Sequence, residues 1–179
     1  MTAYRVGNER SQFNAASRDP EMKQTRKGRN WYFGMKLHVG ADRRGIVHTL
    51  RATNASVADI TQLPELLHGQ EREVFGDQAY WKEDDRKFLE SWGVHYRINR
   101  RPTFRRPLSE RWRMINRARS RTRARGEHAF RVVKQLWGLA KVRCRGLAKN
   151  LARAQTMFAL ANLYQVRAKL LSPGARCAR

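Results

Sequence analysis

Two carboxylates stand out for the company they keep. Glu127 lies within Arg121 to Lys134, RTRARGEHAFRVVK, as the single acid in a dense run of arginines. Carboxylate oxygen suits hard divalent cations and guanidinium suits phosphate oxygen, so the pattern reads as a metal ligand working against phosphate. Asp77, in VFGDQAYW, is the strong candidate to share that metal. Each has a plainer alternative. Asp77 alone reads as a polar strand end, and Glu127 as a surface acid balancing Arg123 at i−4 and Arg131 at i+4, pairs that contribute about 0.2–0.5 kcal/mol each. The five histidines, His38, His48, His68, His95 and His128, lack H-E-x-x-H spacing and read as structural or surface residues. Tyr80 and Trp81 read as packing residues, with stacking on a frayed base as the functional alternative.

Charge points to the partner. The 179 residues carry 38 Lys and Arg against 15 Asp and Glu, a formal net charge of +23. Such a chain repels itself unless a polyanion neutralises it, and nucleic acid is the expected one. From Arg97 to Arg153 there are nineteen basic and two acidic residues, so most of the excess falls in under a third of the chain. If six to ten of these side chains meet phosphates, affinity falls roughly 10³ to 10⁵ fold between 50 and 200 mM salt. No apolar run approaches the length of a membrane span, and no secretory leader pattern is present. Cys144 and Cys177 fit neither a disulfide framework nor a zinc knuckle. Glycine-rich phosphate loops and internal repeats are absent. The expectation is a single cytoplasmic, nucleoid-associated domain with no membrane partner.

The elements that must position the two carboxylates can be read from pattern. Met1 to Asn30 is polar and without periodicity, an arm or loop; residues 31–179 form the domain. Trp31, Phe33, Met35, Leu37 and Val39 alternate with Tyr32, Gly34, Lys36, His38 and Gly40, the period of a half-buried strand. Asp42 to Gly45 is a turn and Ile46 to Thr53 a second strand, which makes an antiparallel hairpin. Ser56 and Asp59 resemble a capping box opening a helix with Val57, Ile60, Leu63 and Leu67 on one side, interrupted at Pro64. EVFGD reads as a short buried strand ending at Asp77. Lys82 to Trp92 reads as a helix with Phe88, Leu89 and Trp92 inward and Gly93 at C′. Val94, Tyr96 and Ile98 alternate as another strand, and Pro102 and Pro107 mark a basic connection to the helix bearing Glu127. On that helix Arg123, Glu127, Arg131 and Lys134 share an arc of about 80°, beside Phe130, Val133, Leu136 and Trp137. Leu147 to Leu171 reads as a closing helix.

RDPEMKQTRKGRNWYFGMKLHVGAD, VFGDQAYW and RTRARGEHAFRVVKQLWG, in this order, resemble blocks of the DDE transposases of bacterial insertion sequences. The resemblance runs from about Arg18 to Leu171. Its most specific element is R-x-x-x-E-x-x-x-x-x-x-K, met by Arg123, Glu127 and Lys134; Ser120 stands where some relatives have tyrosine. The resemblance implies an RNase H-like mixed α/β sheet flanked by helices. It implies two Mg²⁺ ions, with Mn²⁺ able to substitute, acting in phosphodiester cleavage and strand transfer on transposon ends and target DNA. Asp77 and Glu127 are then catalytic metal ligands, Arg123, Arg125, Arg131 and Lys134 bind DNA, and a homo-oligomer on DNA is expected.

The family's first carboxylate lies on a strand before the hairpin, where MTAYRVGNERSQFNAASR has no aspartate. Asp19 and Asp42 fall in loop or turn positions. The expectation is an N-terminally truncated copy, its first strand missing and the chain inactive alone. The alternatives are a catalytically inactive DNA-binding fragment that interferes with the full-length protein, and a basic structural protein of the nucleoid or ribosome.

Overall fold

The computed structural model describes residues 2–9 as backbone, and residues 19–102 and 107–171, the side chain of Lys27 excepted. The strands and α-helices follow the order β1 (Thr2–Glu9), β2 (Lys23–Lys27), β3 (Asn30–Ala41), β4 (Val47–Asn54), β5 (Glu73–Gly76), α1 (Glu83–Ser91), β6 (His95–Ile98), α2 (Glu110–Arg131) and α3 (Leu147–Leu170). The fold is mixed α/β, as expected from the sequence. No helix among the described residues is long and apolar enough to cross a membrane.

β3 is the spine. β1 pairs antiparallel with it from Tyr32 to Val39, while β2 and β4 share its other edge. β3 and β4 form the expected hairpin, turned by Asp42, whose Oδ1 accepts from the amides of Arg44 and Ile46 at 2.8 Å each. Gly45 in that turn has φ +86°, and a Cβ there would stand 2.5 Å from the Arg125 carbonyl oxygen. Glycine is therefore required where the turn meets α2. β5 and β6 make a separate parallel pair, with α1 as the crossover that parallel pairing needs.

Two expectations for the first forty residues need correction. The segment read as a polar arm contains β1 and β2, and a first strand is in place against β3 rather than missing. β1 mixes polar residues with Ala3, Tyr4 and Val6, and pairing with β3 satisfies its backbone whatever the side chains. β3 is also buried on both faces from Gly34 to Gly40 instead of one. Met35, Leu37 and Val39 pack with Ala129, Phe130, Val133 and Phe158 from the helices. Lys36 and His38 are buried as well. Residues 59–66 cover them, not as the expected helix but as two 3-10 turns, Asp59–Gln62 and Pro64–Leu66. Asp59 does not complete a capping box because its carboxylate pairs with Lys36, and Pro64 starts a fresh turn. Leu63 and Leu66 point into the core.

α1 ends as expected, with Gly93 at φ +74°. Its inward face is narrower: Leu89 is buried, but Phe88 and Trp92 are 59% and 73% exposed and pack on each other. Ser109 caps α2 by accepting from the Trp112 amide. α2 then widens into a π turn over Val132–Leu136. The wider turn shifts the helical phase, so Phe130 and Val133 stay buried while Leu136, expected on the same arc, is exposed.

α3 closes the core through Ala154, Phe158 and Ala161. Asp19 and Glu21 accept from the Gly146 and Leu147 amides at its start, so Asp19 has a capping role. Farther along, the Asn162 side-chain amide donates to the Val47 carbonyl at 2.8 Å and accepts from the Val47 amide at 2.9 Å. Cys144 is a free thiol; Cys177 lies outside the described residues.

Candidate functional site

Asp77 follows the last residue of β5 and keeps extended backbone, φ −70° and ψ 161°, as the chain leaves the strand. Two neighbours fix it. A Cβ at Gly76 would meet Ile98 Cδ1 at 2.5 Å, so any larger residue just before the aspartate would have to displace the buried Ile98 side chain. Tyr80, fully buried, donates its amide to the Asp77 carbonyl at 3.0 Å and anchors the turn that follows. Burial, then the charges of Asp59 and Asp77, push the Tyr80 hydroxyl well above its usual range, so it stays neutral.

Glu127 stands on α2, four residues after Arg123. The Arg123 guanidinium joins the two carboxylates, with Nη2 3.2 Å from Glu127 Oε1 and Nη1 3.7 Å from Asp77 Oδ2. Asp77 and Glu127 are 47% and 46% exposed at the side chain, whereas Arg123 is 23% exposed, so the cation is seated deeper than the acids it holds. Its Nε is buried and has no hydrogen-bond partner among the described residues. Sequence spacing foresaw the Glu127 contact but not the Asp77 one, which depends on β5 packing beside α2.

The other expected site residues are placed as follows. Lys134 is in the π turn, partly buried, and desolvation lowers its pKa to about 8. Arg131 is exposed and donates to Gln135 Oε1 at 3.1 Å rather than to Glu127. Arg125 is exposed and reaches the Arg43 carbonyl at 3.3 Å. Ser120 Oγ accepts from the Asn99 side-chain Nδ2, a tie between α2 and the residue that follows β6.

Behind the site lies a network that sequence reasoning missed. Lys36, almost fully buried, donates from Nζ to the Val57 carbonyl at 2.5 Å and to Asp59 Oδ1 at 3.0 Å. His38 Nε2 lies 2.8 Å from Thr53 Oγ1, and burial lowers its pKa to about 4, Asp59 opposing and Lys36 assisting. Lys36 and His38 were legible only as the polar half of an alternating strand. A cleft of about 720 Å³ lies between the end of β3, β5 and α2; Arg123 lines it, but Asp77 and Glu127 do not.

Asp77 and Glu127 offer hard oxygen donors, open to solvent and backed by a rigid strand end and helix. That donor type fits a divalent ion such as Mg²⁺, which is commonly held by one or two carboxylates with water and substrate phosphate completing its shell. Among the described residues no group of three or more His, Cys, Asp or Glu is placed to hold a metal.

A family model described as "Transposase DDE domain" matches residues 8–163, a span that contains every residue placed in the site. No solved structure matches the chain.

Proposed function

Since the chain belongs to the transposase DDE domain family, we propose that it binds DNA and that Asp77 and Glu127 are its metal-binding carboxylates. The contact of one guanidinium with both acids carries this reading, because it brings together two residues fifty positions apart in the sequence. A divalent ion bound there supplies Lewis acidity toward a phosphodiester oxygen. Arg123 bridges the two carboxylates, and it is the group that must move or share when phosphate or a cation arrives. Lys134 offers a point charge to phosphate, and with a pKa near 8 it loses that charge as pH rises past this value. Arg125 and Arg131 extend the cationic surface to either side of Glu127.

The two carboxylates are two of the three that the family resemblance implies for holding two ions. β1 occupies the position beside β3 where a third would be sought, and its sequence TAYRVGNE has no aspartate and one acid, Glu9, opposite Tyr32. We therefore read the chain as binding DNA and a divalent ion at Asp77 and Glu127 without cleaving by itself. The test is Mn²⁺ binding by electron paramagnetic resonance together with plasmid nicking. Mn²⁺ should bind, and Asp77→Asn and Glu127→Gln should each abolish binding. Mn²⁺ affinity unchanged in both variants would sink the site assignment. Nicking that needs Mg²⁺ or Mn²⁺ and disappears in Asp77→Ala would show that the chain cuts DNA unaided.

A further inference from the structure

The outer face of α2 presents Arg113, Arg117, Arg121 and Arg125 at intervals of four residues, all exposed. Each step of four advances about 40° around the helix and about 6 Å along it, so the four guanidinium groups form a stripe about 18 Å long that winds about 120° around α2. The stripe ends two residues before Glu127. Arg113 has Glu110 at 3.6 Å, and Arg125 reaches the Arg43 backbone carbonyl. Arg117 and Arg121 make no ion pair among the described residues. Like charges four residues apart weaken a helix, so the stripe costs the free protein stability. α2 is held instead by its inner side, where Trp112, Asn116 and Arg119 engage the strand connection. Arg119 donates to the Ile98 carbonyl at 2.6 Å.

That inner side also brings in more cations. Asn116 accepts from the Arg100 amide at 3.1 Å and donates to the Arg100 carbonyl at 2.9 Å, which ties the chain after β6 onto α2. The Arg100 guanidinium stacks 3.9 Å from the Trp112 ring. Met114 is the one large apolar side chain exposed on α2, so the face lacks the apolar surface that a membrane-bound helix would bury.

We propose that Arg113, Arg117, Arg121 and Arg125 form a rail for the sugar-phosphate backbone of duplex DNA, outside the carboxylate site and leading to it. The proposal rests on the reading that the chain binds DNA. One strand of a duplex offers a phosphate about every 3.4 Å of its axis, so phosphates recur finely enough for guanidinium groups about 6 Å apart to find partners whatever the sequence. Contacts of this type fix the register and direction of the duplex without reading bases. Their role here is to hold DNA across α2 so that it passes Asp77 and Glu127.

The test compares the unaltered chain with the triple variant Arg113→Gln, Arg117→Gln, Arg121→Gln and with a control of equal charge loss, Arg29→Gln, Lys87→Gln, Lys149→Gln. Binding to a mixed-sequence duplex is followed by fluorescence anisotropy over a salt series. The rail variant should flatten the plot of log K against log salt by about 3, at about 0.9 for each lost phosphate contact. It should lose affinity alike for unrelated sequences and, once free of DNA, melt no lower than the unaltered chain. The control should keep the original slope. Equal flattening in both triples, an unchanged slope in the rail triple, or a lowered melting temperature of that variant would overturn the rail and leave DNA binding intact. Absence of salt-dependent duplex binding by the unaltered chain would overturn the DNA reading itself.

Discussion

Two cation–carboxylate groupings lie on opposite sides of one structural idea. Lys36 and Asp59 are 6% and 28% exposed at the side chain, 3.0 Å apart, with the Val57 carbonyl completing the lysine's partners. Arg123 faces two half-exposed acids at longer distances and leaves its own Nε without a partner among the described residues. A buried pair is costly to break because the survivor stays desolvated, whereas a half-open one is screened by water. The first grouping therefore belongs to the fold, and the second is open to exchange partners.

The contrast is tested most severely by Asp59→Ala, which strands the Lys36 charge and should lower stability by about 3 kcal/mol or more in urea denaturation. Next comes the pH response of the same buried region. His38 is neutral when folded, with a pKa near 4, but takes a proton near 6.5 when unfolded. Its contribution is thus fully present above pH 6.5 and is lost as pH falls toward 4, about 3 kcal/mol in all. Unfolding curves across that window should show the loss, and His38→Gln should remove it. Arg123→Met should change stability by less than about 1 kcal/mol while raising Mn²⁺ affinity, since a competing cation is gone. A large loss of stability would make Arg123 as structural as Lys36 and erase the distinction. Trp92→Ala, on the exposed side of α1, should cost under about 0.5 kcal/mol by thermal melting.

Much of this was legible from residue patterns, and the failures share a cause. The β3–β4 hairpin, the strand ending at Asp77, β6, α2 and α3 all follow from periodicity and turn residues. β1 was missed because its residues carry no alternation and owe their conformation to pairing with β3. Phe88 and Trp92 were placed inward on helical spacing, but the sheet behind α1 is two strands wide and covers little more than Leu89. Leu136 was misplaced by the π turn, which no local residue choice announces. At the site, Arg123 and Glu127 were visible as an i,i+4 pair. The Asp77 contact and the buried Lys36–Asp59 pair required the tertiary packing of distant segments.

The Asn162 side chain acts toward Val47 as one residue of a neighbouring strand would, giving and taking a hydrogen bond at the outer rim of β4. An open rim is a template for another chain's strand. This plug lies near the end of α3, so it is among the last described parts to leave the ribosome, long after β4 itself. The residues of β4 are therefore synthesised before Asn162 exists to cover its rim, and for that interval such an edge is open to a strand of another chain.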